Sequence, residues 1–276
     1  VIVGQEQTVD LVLAAILANG HVLIEGVPGV AKTLLARLTA RLIDADFSRI
    51  QFTPDLMPSD VLGTTVFNMK TNGFDFHQGP IFADIVLVDE INRAPAKTQA
   101  ALFEVMEERQ ISIDGITHKM GELYTILATQ NPVEQEGTYK LPEAQLDRFL
   151  MKITMDYPSL EEEVDILERH HTNTSLIRLD DIKPAITKEE LLSLRAFMNQ
   201  VFVDRTLLQY IALIVQQTRT SKAVYLGASP RASVAMLQAS KAYALLQGRD
   251  FVTPEDIKFV APYVLQHRLI LTAEAE

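Results

Sequence analysis

The sequence contains no cysteine and only six histidines among its 276 residues. Without a thiol, the chain forms neither disulfide bonds nor thiolate metal sites, which is compatible with the cytoplasmic location that we expect. The histidines are scattered, and the adjacent pair His170 and His171 falls on one predicted helix, where neighbouring residues point in different directions. We therefore expect the histidines to lie at the solvated surface and not to chelate a metal ion.

The chain also lacks long apolar segments and an excess of positive charge. Its apolar runs have the length of strands or belong to amphipathic helices, so we expect no segment to enter a membrane. There are 25 Lys and Arg residues against 36 Asp and Glu residues, which gives a formal net charge of −11. This balance disfavours a generally basic nucleic-acid-binding surface, although it leaves room for a local basic channel.

The order of the secondary-structure patterns predicts two domains. Strand patterns alternate with helical patterns up to residue 156, which is typical of a parallel sheet sandwiched between helices. After that residue the patterns are helical only. We predict an α/β domain over residues 1–156, with a five-stranded parallel sheet, and a smaller all-helical domain over residues 157–276. The five strands are assigned to the apolar run that ends at Gly26 and to residues 48–52, 85–89, 124–130 and 149–155.

Two alternating segments within the first domain predict inserted β-hairpins. Asn72-Gly73 and Asp114-Gly115 are dipeptides that favour type I′ turns between paired strands. The first hairpin also contains three alternating aromatic residues. Packing of these residues against the sheet is the favoured interpretation, and the residues concerned are Phe67, Phe74 and Phe76.

Residues 21–38 predict a strand, a phosphate loop and a helix. Backbone N–H groups of such a loop, together with the positive end of the helix, converge on one spot and stabilise the oxygens of a polyphosphate. Lys32 is predicted to reach the β- and γ-phosphates, and the Thr33 hydroxyl to bind Mg²⁺. The predicted nucleotide-binding segment comprises Gly26, Val27, Pro28, Gly29, Val30, Ala31, Lys32, Thr33 and Leu34.

Ala31 departs from the general pattern G-x-x-x-x-G-K-[ST], because it stands in place of the second fixed glycine. The context of the loop supports the assignment nevertheless. Four apolar residues precede Asp89 and Glu90, which predicts a buried parallel strand that delivers two carboxylates to its C-terminal edge. Asn131 follows the next predicted strand at the same edge, where open α/β sheets bind their ligands.

Five blocks of the sequence together resemble the MoxR family of AAA+ ATPases. The blocks are residues 26–33, 89–95, 128–132, 142–149 and 227–231. They occur in the family's order over nearly the whole chain, and the two hairpins lie where that clade carries insertions. The family commonly has alanine at the position of Ala31. The resemblance implies an AAA+ nucleotide-binding domain, a helical lid and a ring of identical subunits, for which we expect a hexamer.

The resemblance also implies a role for each polar residue of these blocks. Asp89 would hold Mg²⁺, and Glu90 would polarise the attacking water as general base. Asn131 is similar in position to the sensor 1 residue that orients this water. Arg148 looks like the arginine finger that reaches the site of the adjacent subunit. Arg231 looks like the sensor 2 residue that reports the γ-phosphate, in its own subunit or in a neighbour.

Each of these residues also has a simpler interpretation. Lys32 and Thr33 could begin a helix that binds no ligand, and Asp89 and Glu90 could cap a helix. Asn131 could start a turn before Pro132. Arg148 and Arg231 could form ion pairs at the surface. Arg93 and Glu143 could lie at a subunit contact, but solvated charge is the favoured interpretation.

Membership of this family implies a chaperone-like role in which ATP hydrolysis remodels a protein client, assembles a complex or inserts a metal cofactor. A protein with a von Willebrand A domain is a frequent partner in the family. Two alternatives stay open. A nucleic-acid motor of the related helicase clade would carry basic hairpins, whereas the hairpin charges here are near balance. An ATP-gated scaffold with little turnover is disfavoured by the intact Glu90.

Overall fold

The computed structural model describes residues 4–27, 29–132, 138–171 and 181–275. The β-strands are β1 (Val22–Gly26), β2 (Phe47–Gln51), β3 (Gly63–Asn68), β4 (Gly73–Gln78), β5 (Ile85–Asp89), β6 (Gln110–Ile113), β7 (Ile116–Lys119), β8 (Thr125–Gln130), β9 (Met151–Met155), β10 (Val224–Leu226) and β11 (Ile270–Leu271). The α-helices are α1 (Glu6–Leu17), α2 (Lys32–Leu42), α3 (Pro58–Leu62), α4 (Ala96–Glu108), α5 (Glu143–Leu146), α6 (Leu160–His171), α7 (Lys188–Phe197), α8 (Arg205–Thr220), α9 (Pro230–Leu246) and α10 (Pro254–Leu265).

A five-stranded sheet with the order β2-β5-β8-β1-β9 confirms the predicted α/β class. Strand β5 pairs in parallel with β2 on one side and with β8 on the other. All five residues of β5 are buried, because a central strand of a parallel sheet is covered on both faces. The polar residues that follow β5 and β8 therefore emerge together at the C-terminal edge of the sheet.

The two predicted hairpins are present, but only one has the predicted turn. Asp114 and Gly115 both have positive φ angles, 51° and 78°, and connect β6 to β7 as a type I′ turn requires. In the first hairpin, Gly73 already pairs with Asn68 in the ladder, so the loop has four residues and the prediction of a turn at Asn72-Gly73 is wrong. The cross-strand pairs set this register, and the dipeptide does not.

The aromatic residues of the first hairpin divide between two environments. Phe76 packs against Phe82 and His118, with ring centroids 5.9 and 4.2 Å apart, respectively. Phe67 and Phe74 contact each other edge to face at 5.2 Å and are 47% and 73% exposed. The prediction that these two residues pack against the sheet is therefore wrong, because they form an exposed apolar pair on the hairpin.

The chain divides into two compact units. One contains the described parts of residues 1–4, 24–141 and 155–188, and the other contains residues 5–23, 142–154 and the described part of 189–276. The domain boundary after residue 156 stays a prediction. The C-terminal region is helical as predicted, with the addition of a small antiparallel sheet of β10 and β11 that the pattern did not predict.

Two histidines differ from the expectation of solvated surface. His21 and His267 are buried, with 4% and 6% of their surfaces exposed. Among the described residues, no helix is both long and apolar enough to cross a bilayer.

Candidate functional site

The turn between β1 and α2 is constrained at two glycines. A Cβ atom on Gly26 would lie 2.7 Å from the carbonyl oxygen of Met155, so only glycine fits at the end of the strand. Gly29 has a φ angle of 92°, which favours glycine, and Ala31 has a left-handed conformation with a φ angle of 60°. Pro28 lies outside the described residues. The loop conformation is therefore set by one close approach and by two residues with positive φ angles.

Lys32 begins α2 and returns to the base of this loop. Its Nζ atom donates a hydrogen bond to the carbonyl oxygen of Gly26 at 2.6 Å. Thr33 and Leu34 follow in the first turn of α2, where the backbone N–H groups of a helix have no acceptor within the helix. Helix α2 packs against β5. An ammonium group, helix N–H groups and the loop backbone thus face one place, which suits an anionic polyphosphate.

Asp89 ends β5 and is held by two side chains. Its Oδ2 atom accepts a hydrogen bond from Nε of Arg49 at 2.6 Å, and its Oδ1 atom accepts one from the Thr129 hydroxyl at 3.0 Å. The Thr129 oxygen also accepts a hydrogen bond from the backbone N–H of Glu90 at 3.0 Å. One hydroxyl at the end of β8 therefore holds both acidic residues at the end of β5.

Glu90 has a left-handed backbone conformation with a φ angle of 56°. Its Oε2 atom accepts a hydrogen bond from Nε2 of Gln51 at 2.8 Å and forms an ion pair with Nε of Arg93 at 3.1 Å. Arg93 is therefore ion-paired, while 37% of its side chain remains exposed to solvent. Glu90 precedes a short 3₁₀ turn but makes no capping hydrogen bond to it with its side chain. Its contacts are thus not those of a helix cap.

Asn131 follows β8 and is buried, with 7% of its surface exposed. Since β8 lies beside β5, Asn131 lies at the same edge of the sheet as Asp89. The loop residues, the two acids and Asn131 thus belong to one compact unit, with the acids and Asn131 at one edge of its sheet.

Three residues that hold the acids were not predicted from the sequence: Arg49, Gln51 and Thr129. Arg49 and Gln51 are alternate residues of β2, so they share one face of the strand, and Gln51 lies opposite Asp89 in the register. The signal was available as two polar residues on either side of Ile50, which is buried. Their partners, however, come from a different strand, and a single sequence does not reveal that pairing.

Arg148 and Arg231 belong to the other compact unit. Arg148 lies just after α5, and Arg231 lies in the first turn of α9. The hydroxyl of Ser229, the residue before α9, donates a hydrogen bond to Oδ2 of Asp147 at 3.3 Å. The segment with Arg148 and the start of the helix with Arg231 are therefore joined.

The donor atoms at the sheet edge suit Mg²⁺ bound together with a nucleotide. Among the described residues, no group of three or more His, Cys, Asp or Glu side chains could hold a metal ion. Mg²⁺ prefers oxygen ligands, and it commonly takes one or two from the protein and the others from phosphates and water. The carboxylate of Asp89 and the hydroxyl of Thr33 meet that requirement.

Comparison with known proteins gives the family. The model of the ATPase family associated with various cellular activities (AAA) matches residues 21–151, and that of the AAA lid domain matches residues 216–276. Uncharacterized protein YeaC of Bacillus subtilis is 50% identical over 100% of this chain and 85% of its own length. Chaperone MoxR1 of Mycobacterium tuberculosis is 46% identical over 100% of this chain and 74% of its own length.

A solved structure agrees with these relatives. The crystal structure of a protein from Cytophaga hutchinsonii superposes with a TM-score of 0.90 at 42% identity and covers 100% of this chain and 85% of that chain. The similarity in sequence and the similarity in fold each cover 100% of this chain. The chain is therefore an ATPase that belongs to the MoxR family of AAA+ proteins.

Proposed function

We propose that this protein hydrolyses Mg-ATP as a ring of identical subunits and uses the energy to remodel protein clients. The observation that carries the proposal is that helix α2, which begins at Lys32, packs against β5, and that Thr129 holds Asp89 and Glu90 side by side at the end of that strand. The name of the relative MoxR1, a chaperone, supports the client-directed part of the proposal.

In the proposed reaction the protein positions phosphates and water, because phosphoryl transfer needs little covalent help. Lys32 and the loop N–H groups hold the phosphates. Thr33 and Asp89 would hold Mg²⁺, which supplies neutralisation of the charge on the phosphate oxygens. Glu90 takes a proton from the attacking water, and Asn131 orients that water.

The contacts of the two acids define what must change before they act. Arg49 occupies Oδ2 of Asp89, while Gln51 and Arg93 occupy Oε2 of Glu90. These partners must give up those oxygens for the carboxylates to meet a metal ion and a water molecule. The Thr129 hydroxyl bonds Oδ1 of Asp89 and the backbone of Glu90, so it can stay in place throughout.

Ring formation follows from the proposed role of Arg148 in a neighbouring subunit's site. A finger that cannot reach the phosphate of its own subunit leaves an isolated subunit nearly inactive. Because Ser229 bonds to Asp147, the segments of Arg148 and Arg231 are linked within one unit. We therefore propose that both arginines serve the same nucleotide of the neighbouring subunit, and we expect six subunits in the ring.

The first hairpin is the proposed contact with clients. It exposes Phe67, Phe74 and, in the loop between its strands, Met69, the last with 89% of its surface in solvent. Exposed aromatic and methionine side chains are common at surfaces that bind varied protein partners. The client class, which includes proteins with a von Willebrand A domain, and the cytoplasmic location are part of the proposal.

Subunit mixing tests the proposed function. Arg148→Ala should bind ATP normally but lose hydrolysis by on the order of 1,000-fold, because a trans arginine stabilises the charge of the transition state. Glu90→Gln should also bind ATP without turnover. Mixed rings should regain activity, since some interfaces then combine an intact Glu90 with an intact Arg148. Mixed rings without any recovered activity would contradict catalysis across the subunit interface.

The two alternatives have distinct outcomes. Hydrolysis that rises severalfold with DNA would favour the nucleic-acid motor. Slow hydrolysis that is unchanged in Glu90→Gln would favour the ATP-gated scaffold. Affinity capture with Glu90→Gln, which retains ATP, followed by mass spectrometry should identify a client that wild-type protein releases.

A further inference from the structure

The residues just after α10 bind the backbone between α5 and β9, the segment that contains Arg148. Nε2 of Gln266 donates a hydrogen bond to the carbonyl oxygen of Lys152. Nε2 of His267 lies 3.0 Å from the carbonyl oxygen of Phe149. Both partners belong to the same compact unit as the residues that bind them. The C-terminal end of α10 is therefore fastened along the segment through main-chain acceptors.

Arg268 makes most of these contacts. Its Nε atom donates to Oδ1 of Asp147 at 2.6 Å, and its Nη2 atom donates to the carbonyl oxygens of Asp147 and Phe149 at 3.2 and 2.7 Å. Its Nη1 atom donates to the carbonyl oxygens of Leu150 and Val264 at 3.2 and 2.5 Å. A guanidinium has five N–H groups, so the whole donor capacity of Arg268 is used.

These contacts bracket Arg148. The carbonyl groups of the preceding and following residues, Asp147 and Phe149, both accept from Nη2 of Arg268, and the N–H of Phe149 donates to the carbonyl oxygen of Leu146 at 3.1 Å. The peptide group before Arg148 is held by Arg268, and the one after it by the bond to Leu146, so the backbone of Arg148 has little freedom. The direction in which the Arg148 side chain leaves the segment is thereby set.

The guanidinium of Arg268 is a buried charge. Its side chain is 4% exposed, and burial lowers its pKa, while the hydrogen bond to Asp147 raises it. Removing a charge from water is expensive, and a well-packed apolar residue often stabilises a protein as well or better. A buried guanidinium at this position therefore points to a need for geometry and not for stability alone.

The same carboxylate reaches the second arginine-bearing element. Oδ1 of Asp147 accepts from Arg268, and Oδ2 accepts from the hydroxyl of Ser229 at the start of α9. Asp147 therefore connects Arg268 to the helix of Arg231. Movement of the segment relative to α10 would disturb both arginines at once.

We propose that Arg268 is a positioning residue for Arg148: it fixes the flanking peptide groups so that the Arg148 guanidinium meets the neighbouring subunit's nucleotide in one orientation. This inference rests on the role of Arg148 in the proposed function. A displacement of about 1 Å in such a group lowers the rate on the order of 100-fold, so loss of the Arg268 contacts should have a measurable effect on catalysis.

A double-mutant cycle on kcat tests the inference in assembled rings. Arg268→Met should lower kcat by about 10- to 100-fold with an unchanged KM for ATP, because the ATP-binding loop is untouched. In the Arg148→Ala background, Arg268→Met should have no further effect on kcat, since there is no finger left to position. An equal loss in both backgrounds would assign Arg268 a separate structural role and overturn the inference.

The cycle also separates this inference from the proposed function. Wild-type kcat in Arg148→Ala would overturn the proposed function, and the inference with it. A low kcat in Arg148→Ala beside a normal kcat in Arg268→Met would overturn the inference alone. Asp147→Asn provides a milder variant, since it removes only the charge and keeps the carbonyl contacts. It should lower kcat by about threefold, and an unchanged kcat would count against the inference.

Arg249 provides a matched control in the same unit. It forms a two-pronged ion pair with Asp256 at the other end of α10, through hydrogen bonds of 2.7 and 2.6 Å. Arg249→Met should lower the thermal midpoint of unfolding and leave kcat unchanged at a temperature where the variant is folded. A fall in kcat equal to that in Arg268→Met would show that general destabilisation explains both, which would overturn the inference.

Discussion

At the end of β5 the acids Asp89 and Glu90 are held by other side chains, whereas the segment with Arg148 is held through its own backbone. The arginines that hold the two regions also differ in solvent exposure. Arg49, which pairs with Asp89, has 51% of its side chain exposed, while Arg268 has 4% exposed. Both are arginines in ion pairs with an aspartate at 2.6 Å, so the pair distance does not distinguish them.

The difference concerns how easily each contact is exchanged. A partly exposed ion pair contributes about 0 to 1 kcal/mol, so a competing ligand can displace it. Removing one partner of a buried pair costs about 3 to 5 kcal/mol, because the other charge is left without compensation. The partners of the acids can thus be displaced by a ligand, whereas the partner of the segment with Arg148 is costly to remove.

The largest effect is expected at Lys32. Its ammonium group bonds the carbonyl oxygen of Gly26 in this structure, and a bound phosphate should replace that partner. Lys32→Ala should lower the affinity for a fluorescent ATP analogue by on the order of 100-fold, since it removes charge-assisted hydrogen bonds. Lys97→Ala, on the exposed side of α4, is the control and should bind normally. Retained affinity in Lys32→Ala would remove the central assignment of the site.

A smaller effect is expected from the buried residues just after α10, which should make the stability of the protein depend on pH. Burial, with a contribution from Arg268, lowers the pKa of His267 from 6.5 to about 3. Between these values the unfolded chain binds a proton that the folded protein does not, so stability falls as the pH falls. From pH 6.5 to 5.5 this should remove about 1 kcal/mol of unfolding free energy, measured by urea denaturation.

His267→Gln should lack this part of the pH dependence, because glutamine does not titrate in this range. His77→Gln, at an exposed position in β4, should keep it. The same pH dependence in His267→Gln as in the wild type would show that His267 is not buried in its neutral form in solution.

The smallest effect is expected at the partly exposed ion pair between Arg49 and Asp89. Arg49→Met frees Oδ2 of Asp89, so the Mg²⁺ concentration for half-maximal binding of the ATP analogue should fall by about threefold, in keeping with the modest energy of an exposed pair. Arg49→Lys retains the charge and should shift this value less. A higher Mg²⁺ requirement in Arg49→Met would mean that Arg49 assists metal binding instead of competing with it.

The fold was predictable where local pattern and burial coincide. Strand β5 is a continuous apolar run because both of its faces are covered, and the loop before Lys32 combines glycine with a helix start. The acids Asp89 and Glu90 could be placed because strands of a parallel sheet end at one edge. These features depend on residues close together in the sequence.

Contacts between distant residues were not predictable. Arg268 and Phe149 are 119 residues apart, and no periodicity relates them. The contact between Arg49 and Asp89 depends on which strand lies beside β5. Similarly, the alternation of Phe74 and Phe76 indicates a strand with an apolar face, but it does not tell how much of that face another element covers.

The left-handed conformation of Ala31 has a consequence for how such proteins are detected. An L-residue with a side chain adopts this conformation at a penalty of about 1 to 2 kcal/mol, which a well-packed loop tolerates. The loop requires a positive φ angle at this position, and glycine is the residue that adopts it with the least strain. Searches that specify the angle, and accept every small residue able to reach it, should recover nucleotide-binding loops that a fixed-letter pattern discards.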